Sequence, residues 1–353
     1  MNTRRRKPAP VPHLRPAAAR RRRSGLGAAR RQRWARALGA RWPLIRRWLL
    51  GAFLLLVAVL IVIQAREVEW DQVLHAMASY RAPTLLKAAA FAAVGYLAYS
   101  GYDLLARPFG ERDPAAGRIM TVTFVSYAFN LNLGSFIGGA GFRYRLYSKL
   151  GVDNPAVTRV LALSLVTNWL GYLWLAGAAF AAGTLRLPEG WILGSGALRG
   201  IGVALLAVAL GYLAVCARAR RRSWTFKGHG IELPTLPVAL MQSVLATTSW
   251  AAMGGVVYVL LPGELDYPVV LTVLLLSSIA SAFTHVPAGL GVIEAVFLAL
   301  LGTQESRFQL LGALLTYRAI YYLFPLLIAT VVYAGLEASW KRGRRGAAAS
   351  PGT

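Results

Sequence analysis

Arg318 stands where a charge is costly. It lies nine residues into the apolar run Leu310–Val332, about 12 Å along a helix that rises ~1.5 Å per residue. An arginine at that depth costs ~2.5–3.5 kcal/mol on insertion scales, so it should face a bundle interior and take a partner. Glu294 is the natural partner, because the membrane sequence holds few other acids. Tyr317 adjoins Arg318, and Tyr321 and Tyr322 fall on its face at three and four residues. The plainer alternative is an arginine that snorkels or bonds helix-end carbonyls.

Two glycine-rich stretches carry the other polar groups. The first is Asn130-Leu-Asn-Leu-Gly-Ser-Phe-Ile-Gly-Gly-Ala-Gly-Phe-Arg-Tyr-Arg145, and the second is Thr284-His-Val-Pro-Ala-Gly-Leu-Gly-Val-Ile-Glu294. Asn130 and Asn132 offer amide donors and acceptors, and the planar forks of Arg143 and Arg145 suit phosphate. Ordinary loop charge is an equally good reading of those two arginines, since Lys149 continues the run. An imidazole ordinarily titrates near neutral pH, which would suit His285 to proton coupling, whereas a lone histidine beside Pro287 is more often a hydrogen-bonded structural residue. Gly134, Gly138, Gly139, Gly141, Gly289 and Gly291 give hairpin geometry, or else close helix packing. Asp103, near the end of its span, is expected to be solvated.

These residues need a membrane frame. Hydrophobic residues make up 56% of the chain and charged residues 15%, and the apolar ones gather in runs long enough to cross a ~30 Å hydrocarbon core. The expected fold is an all-α polytopic membrane protein with about six full spans and two broken or re-entrant hairpins, about eight segments in all. The spans are Leu44–Ile63, Pro83–Leu105, Ala156–Ala182, Ala197–Cys216, Pro237–Leu261 and Leu310–Val332, and the broken segments are Ile119–Gly141 and Pro268–Leu301. Broken backbone at membrane depth survives only where protein or a water-filled cavity satisfies it, so paired breaks indicate a site.

Charge sets the expected topology. Of the 39 Lys and Arg, 31 fall in segments 1–47, 107–118, 143–158, 218–236 and 337–353, and only four in 64–82, 184–195, 262–267 and 302–309. Short cytoplasmic loops carry the basic excess, so both termini are placed inside. Both ends of the first break then face the cytoplasm and both ends of the second face outward. The second either dips in and returns or crosses twice, which gives the inverted logic of secondary transporters. Residues 1–43 form a basic disordered tail suited to an anionic membrane surface, residues 44–340 the membrane domain, and residues 341–353 a second basic tail. No small-residue cleavage site follows the first apolar run, which favours an uncleaved anchor.

Ser126-Tyr-Ala-Phe-Asn-Leu-Asn-Leu-Gly-Ser-Phe-Ile-Gly-Gly-Ala-Gly-Phe-Arg-Tyr-Arg-Leu-Tyr-Ser148, Phe283-Thr-His-Val-Pro-Ala-Gly-Leu-Gly-Val-Ile-Glu-Ala-Val296 and Leu315-Thr-Tyr-Arg-Ala-Ile-Tyr-Tyr-Leu-Phe-Pro325 resemble the flippase-like transmembrane domain of lysylphosphatidylglycerol synthases, the multiple peptide resistance factor family. The resemblance covers about residues 44–340, in order. Full-length members continue into a soluble aminoacyl transferase domain, and this sequence ends at Thr353. The resemblance therefore implies the lipid-translocating part in a bacterial inner membrane, without the synthase. Its lipid-binding residues would be Asn130, Asn132, Arg143, Arg145, His285, Glu294, Tyr317, Arg318 and Tyr321, with Pro287 and the six glycines shaping the hairpins.

The expected activity is movement of a phospholipid head group, aminoacylated or anionic, between leaflets, with Arg143 or Arg145 meeting phosphate and Glu294 an amine. Rivals are a transporter of a polyisoprenoid-linked sugar or small polar solute, and a non-catalytic lipid-binding partner of a separate lipid-modifying enzyme. Neither a Gly-x-Ser-x-Gly elbow nor a His-Glu-x-x-His helix nor a P-loop is present, so an enzyme is not expected. Cys216 is the sole cysteine and the four histidines are scattered, so no metal or cofactor is expected. Nucleic acid is not an expected partner, since no aromatic interleaving accompanies the basic tail.

Overall fold

The computed structural model describes residues 70–107, 109, 113–185, 194–219, 223–226, 229–261, 263, 265–284 and 286–349. The tail 1–43, the expected span Leu44–Ile63 and His285 lie outside these residues. The first elements are α1 (Trp70–Ala78), α2 (Ala82–Ser100), α3 (Ala116–Leu133), a π segment (Ser135–Gly141) and α4 (Phe142–Lys149). There follow α5 (Asn154–Ala182), α6 (Ser195–Arg218), α7 (Leu236–Leu260), α8 (Tyr267–Thr284) and α9 (Val292–Leu301). The last run is α10 (Arg307–Arg318), a π turn (Ala319–Leu323) and α11 (Phe324–Ala349). The membrane domain is helical as expected. A short antiparallel hairpin in the α6–α7 loop, β1 (Ser223–Phe226) with β2 (His229–Glu232), pairs Ser223 with Glu232.

Prolines set several helix starts. Pro83, Pro155 and Pro237 occupy the first turns of α2, α5 and α7, where the missing N–H would be unpaired anyway. Six stretches among the described residues are long and apolar enough to cross a membrane: Ala82–Ala106, Asn154–Ala182, Gly196–Arg218, Leu236–Leu260, Tyr267–Thr284 and Arg307–Trp340. Five correspond to expected full spans, and Tyr267–Thr284 is the inbound arm of the second broken segment. Outward-facing Leu165, Val203, Leu327 and Val331 are exposed, an apolar exterior that suits lipid rather than water.

Small residues bring the helices close. A Cβ on Gly171 would stand 2.6 Å from the Ala246 backbone, between α5 and α7. Polar glue adds to this at the same level: Tyr212 Oη donates to Gln242 Oε1 at 2.8 Å, and Gln242 Nε2 donates to Thr167 Oγ1 at 2.7 Å. Bonds of this kind link helices that have no hydrophobic drive to associate in lipid.

Both broken segments return to the end they came from. Arg118 and Val122 at the start of α3 share a cavity with Leu150, just after α4, and with Leu336 and Trp340 of α11. The first break is thus a hairpin, open at what is termed here the Asp103 end. At the opposite, Tyr80 end, a Cβ on Gly263 would collide with Glu305, so the loops before α8 and after α9 adjoin. The second segment therefore enters and leaves at this end. At this end Tyr80 Oη donates to the Leu260 carbonyl at 2.6 Å, and burial pushes its phenol up to about 12, keeping the donor protonated. The return arm α9 has 10 residues, about 15 Å at 1.5 Å per residue. That length is about half of a ~30 Å core, too short for the return arm to cross it alone.

Helix α11 runs unbroken through Lys341–Arg345 to Ala349. Asp103 corrects an expectation. It is fully buried rather than solvated, because Arg143 and Tyr147 of the returning hairpin close over it.

Candidate functional site: the meeting point of two hairpin tips

The second tip is held by Arg318. Its Nε donates to Glu294 Oε1 at 2.6 Å and its Nη2 to Glu294 Oε2 at 3.0 Å, so the partner expected from the sequence is held in a two-pronged pairing. Nη1 donates to the Ala288 carbonyl at 2.9 Å and Nη2 to that of Gly289 at 3.1 Å. Those carbonyls belong to the 3-10 turn Pro287–Gly289, where Ala288 (φ 56) and Gly289 (φ 59) lie in left-handed backbone, as does Gly291 (φ 77) just after it. For a residue with a Cβ, such as Ala288, that conformation costs ~1–2 kcal/mol. Arginine has five N–H groups, and four are used here on one carboxylate and one strained turn. The guanidinium also lies 5.6 Å from the Tyr322 ring centroid.

Arg318 ends α10, and the π turn after it is fastened by α2 and by the first hairpin. Pro325 has no N–H to give to the carbonyl four residues back. That carbonyl, on Tyr321, instead accepts from Tyr96 Oη of α2 at 3.0 Å. The next one, on Tyr322, accepts from Asn132 Nδ2 of α3 at 3.2 Å. Helix α3 also touches the Pro287–Gly289 turn, so the two tips meet beside Arg318.

At the first tip, α3 stops at Gly134, whose φ of 82 turns the chain. The π segment then folds back so closely that a Cβ on Gly138 would collide with the Phe129 backbone. A Cβ on Gly139 would lie 3.1 Å from Asn130 Oδ1, an oxygen that is buried and makes no hydrogen bond, as is Ser126 Oγ one turn earlier. Gly141 keeps ordinary helical backbone.

Arg143 and Arg145 sit away from this meeting point, at the Asp103 end. Arg143 is 2% exposed. Its Nε and Nη2 donate to the two oxygens of Asp103 at 2.9 and 3.2 Å, and Nη2 also reaches Ser164 Oγ at 3.2 Å. Tyr147 Oη adds a bond to Asp103 at 2.9 Å. Arg145 is outside, paired with Glu337 Oε1 at 2.6 Å. Both forks grip carboxylates and bolt the hairpin's return arm to its neighbours, so the phosphate-binding role expected for them is not the one they hold here.

Sequence reasoning missed Tyr96, Tyr99 and Tyr127, which join Tyr317 and Tyr321 between the two buried ion pairs. Tyr99 stacks on Tyr127 at 3.5 Å, Tyr127 Oη stands 3.4 Å from Tyr321 Oη, and Tyr317 stacks on Tyr321 at 5.7 Å. Tyr321 thus turns toward α2 and α3, and Tyr322 keeps the contact with Arg318. The recurrence of Tyr96, Tyr99 and Tyr102 on one apolar helix was the available signal. Tyr96 also lines a lateral groove of about 510 Å³ between α2, α3 and α11. A separate cavity of about 790 Å³ opens at the Tyr80 end, beside Asp71, His75, Arg81 and Gln309.

The family model described as the lysylphosphatidylglycerol synthase TM region matches residues 48–329. The chain is 43% identical over 305 residues to the inner membrane protein YbhN of Escherichia coli, covering 86% of this chain and 96% of that protein. It is 33% identical over 281 residues to the uncharacterized protein slr0712 of Synechocystis sp., covering 78% of this chain and 86% of that one.

Proposed function

Because the chain belongs to the lysylphosphatidylglycerol synthase TM region family, we propose that it binds phospholipid head groups and moves them between leaflets, without a reaction of its own. The observation that carries this reading is the meeting of two hairpins, entered from opposite ends and pinned beside Arg318 at the end of the 12-residue α10, about 18 Å from its start. A head group crossing hydrocarbon needs a polar place at that depth, and discontinuous helices meeting near the midplane supply one in secondary transporters.

The chemistry of the pair supports the same reading. A lipid phosphate presents the guanidinium with the same paired oxygens as Glu294, so it can replace that carboxylate on the fork. An amine on the head group would then compensate the released Glu294. The Ala288 and Gly289 carbonyls hold Arg318 in place during the exchange. Cavities at both ends provide approaches from either leaflet.

The natural test uses purified protein in vesicles containing a chain-labelled fluorescent phosphatidylglycerol, with a membrane-impermeant reductant added outside, both with and without a proton gradient. Translocation should expose the whole labelled population, whereas protein-free vesicles lose only their outer leaflet. Loss confined to the outer leaflet under both conditions would refute the reading. Lipids retained in native mass spectrometry distinguish a phospholipid from a polyisoprenoid-linked sugar.

We place the protein in the bacterial inner membrane with both termini in the cytoplasm, the Asp103 end inward. The basic excess supports this orientation, and the Escherichia coli relative is named as an inner membrane protein. In a Cys216→Ser background, Arg145→Cys should label from the cytoplasm and Glu305→Cys from outside. Labelling of position 145 from the periplasm would reverse the assignment.

A further inference from the structure

The lateral groove has an amphipathic form that the hairpin tips do not explain. Its floor on α2 is made of small residues, Ala89, Ala92 and Ala93, and its walls are Phe124 of α3 and Ile328 of α11. Along the Arg318 helix it extends from Ile320 to Val332, about 18 Å at 1.5 Å per residue, which is close to one leaflet of a ~30 Å core. Toward the Asp103 end it shares Thr121 with a second cavity of about 400 Å³, lined by Arg118, Ser339 and Trp340 among others.

Arg118 is exposed and makes no ion pair among the described residues. The nearby acid, Glu337, already accepts from Arg145 and Tyr333. A tryptophan beside an arginine at a helix end marks the head-group level of a bilayer. We infer that this groove is a binding site for one phospholipid of the leaflet at the Asp103 end, with its phosphate on Arg118 and an acyl chain along the alanine floor. Tyr96 links this site to the meeting point, because it lines the groove and bonds the π turn after Arg318.

This inference rests on the reading that the chain handles phospholipid, and one experiment separates the two. Full-length protein in neutral detergent is titrated with dioleoylphosphatidylglycerol and bound lipid is counted by native mass spectrometry. The variants are Arg118→Gln, Arg118→Lys and Ala93→Phe, with Val203→Phe on the lipid-facing surface of α6 as a control. Arg118 and Ala93 are both exposed, so these chains should fold, and thermal unfolding checks it.

Losing a hydrogen bond to a charged partner should weaken binding about tenfold in Arg118→Gln. Arg118→Lys should fall in between, Ala93→Phe should lose the lipid by filling the groove, and the control should bind normally. Glycerol 3-phosphate, which has the phosphate without chains, should not compete at lipid concentrations. Normal binding by Arg118→Gln or Ala93→Phe, or full competition by glycerol 3-phosphate, would overturn this site alone. A wild-type protein that holds no phospholipid would instead sink the functional reading.

Discussion

Arg318→Gln should destabilise the membrane domain by ~3–5 kcal/mol, the usual loss when one partner of a buried ion pair is removed and the other is left uncompensated. Glu294→Gln should do comparable damage, because it leaves the guanidinium charged and short of its two strongest acceptors. The double variant Glu294→Gln/Arg318→Gln should recover part of the loss, since neither side then carries a lone charge. Chemical unfolding in detergent measures all three, and additive losses in that cycle would show that the two residues are not coupled. Arg318→Lys sharpens the test. An ammonium has three donors on one atom and cannot span a carboxylate and two turn carbonyls, so Ala288 and Gly289 should lose their bonds. If the pair is also the place a head group passes, lipid translocation should fall in Arg318→Lys by more than its stability loss explains.

That pair was legible because the physics left few alternatives. An arginine nine residues into an apolar run must find a partner, and Glu294 was the acid within reach of a broken segment. The hairpins were legible for a similar reason: the basic residues on both sides of Ile119–Gly141 had to share one end. Other parts of the site carry no local mark. Asn132 looks like a ligand-binding amide in sequence, yet it donates to a carbonyl 190 residues away, on Tyr322. The six glycines read as one class but divide by cause. Gly134, Gly289 and Gly291 supply positive φ, Gly138 allows backbone to touch backbone, Gly139 makes room for the Asn130 side chain, and Gly141 is plain helix. Asp103 was misread because its helix-end position suggested water, and the residue that buries it lies 40 positions further on.

Asp103→Asn should therefore be as damaging as any change at the hairpin tips. The substitution keeps the side chain's size and one acceptor oxygen but leaves Arg143 charged and 2% exposed, with Ser164 Oγ and the face of Tyr99 nearby. The expected cost is again ~3–5 kcal/mol, and it should appear locally first, because Asp103 joins the end of α2 to both Arg143 and Tyr147 of α4. Releasing α4 frees the return arm of the first hairpin, so amide exchange over Phe142–Lys149 should quicken before the rest of the domain opens. Tyr147→Phe should cost less, ~1.5–3 kcal/mol for one hydrogen bond to a charged acceptor, while preserving the ion pair. Arg145→Gln is the internal comparison: its pair with Glu337 is open to solvent and screened, so the hairpin should stay docked without it. Unchanged exchange over α4 in Asp103→Asn would mean that the hairpin is held by packing of Leu146 and Tyr147 alone, and the buried pair would lose the role assigned to it here.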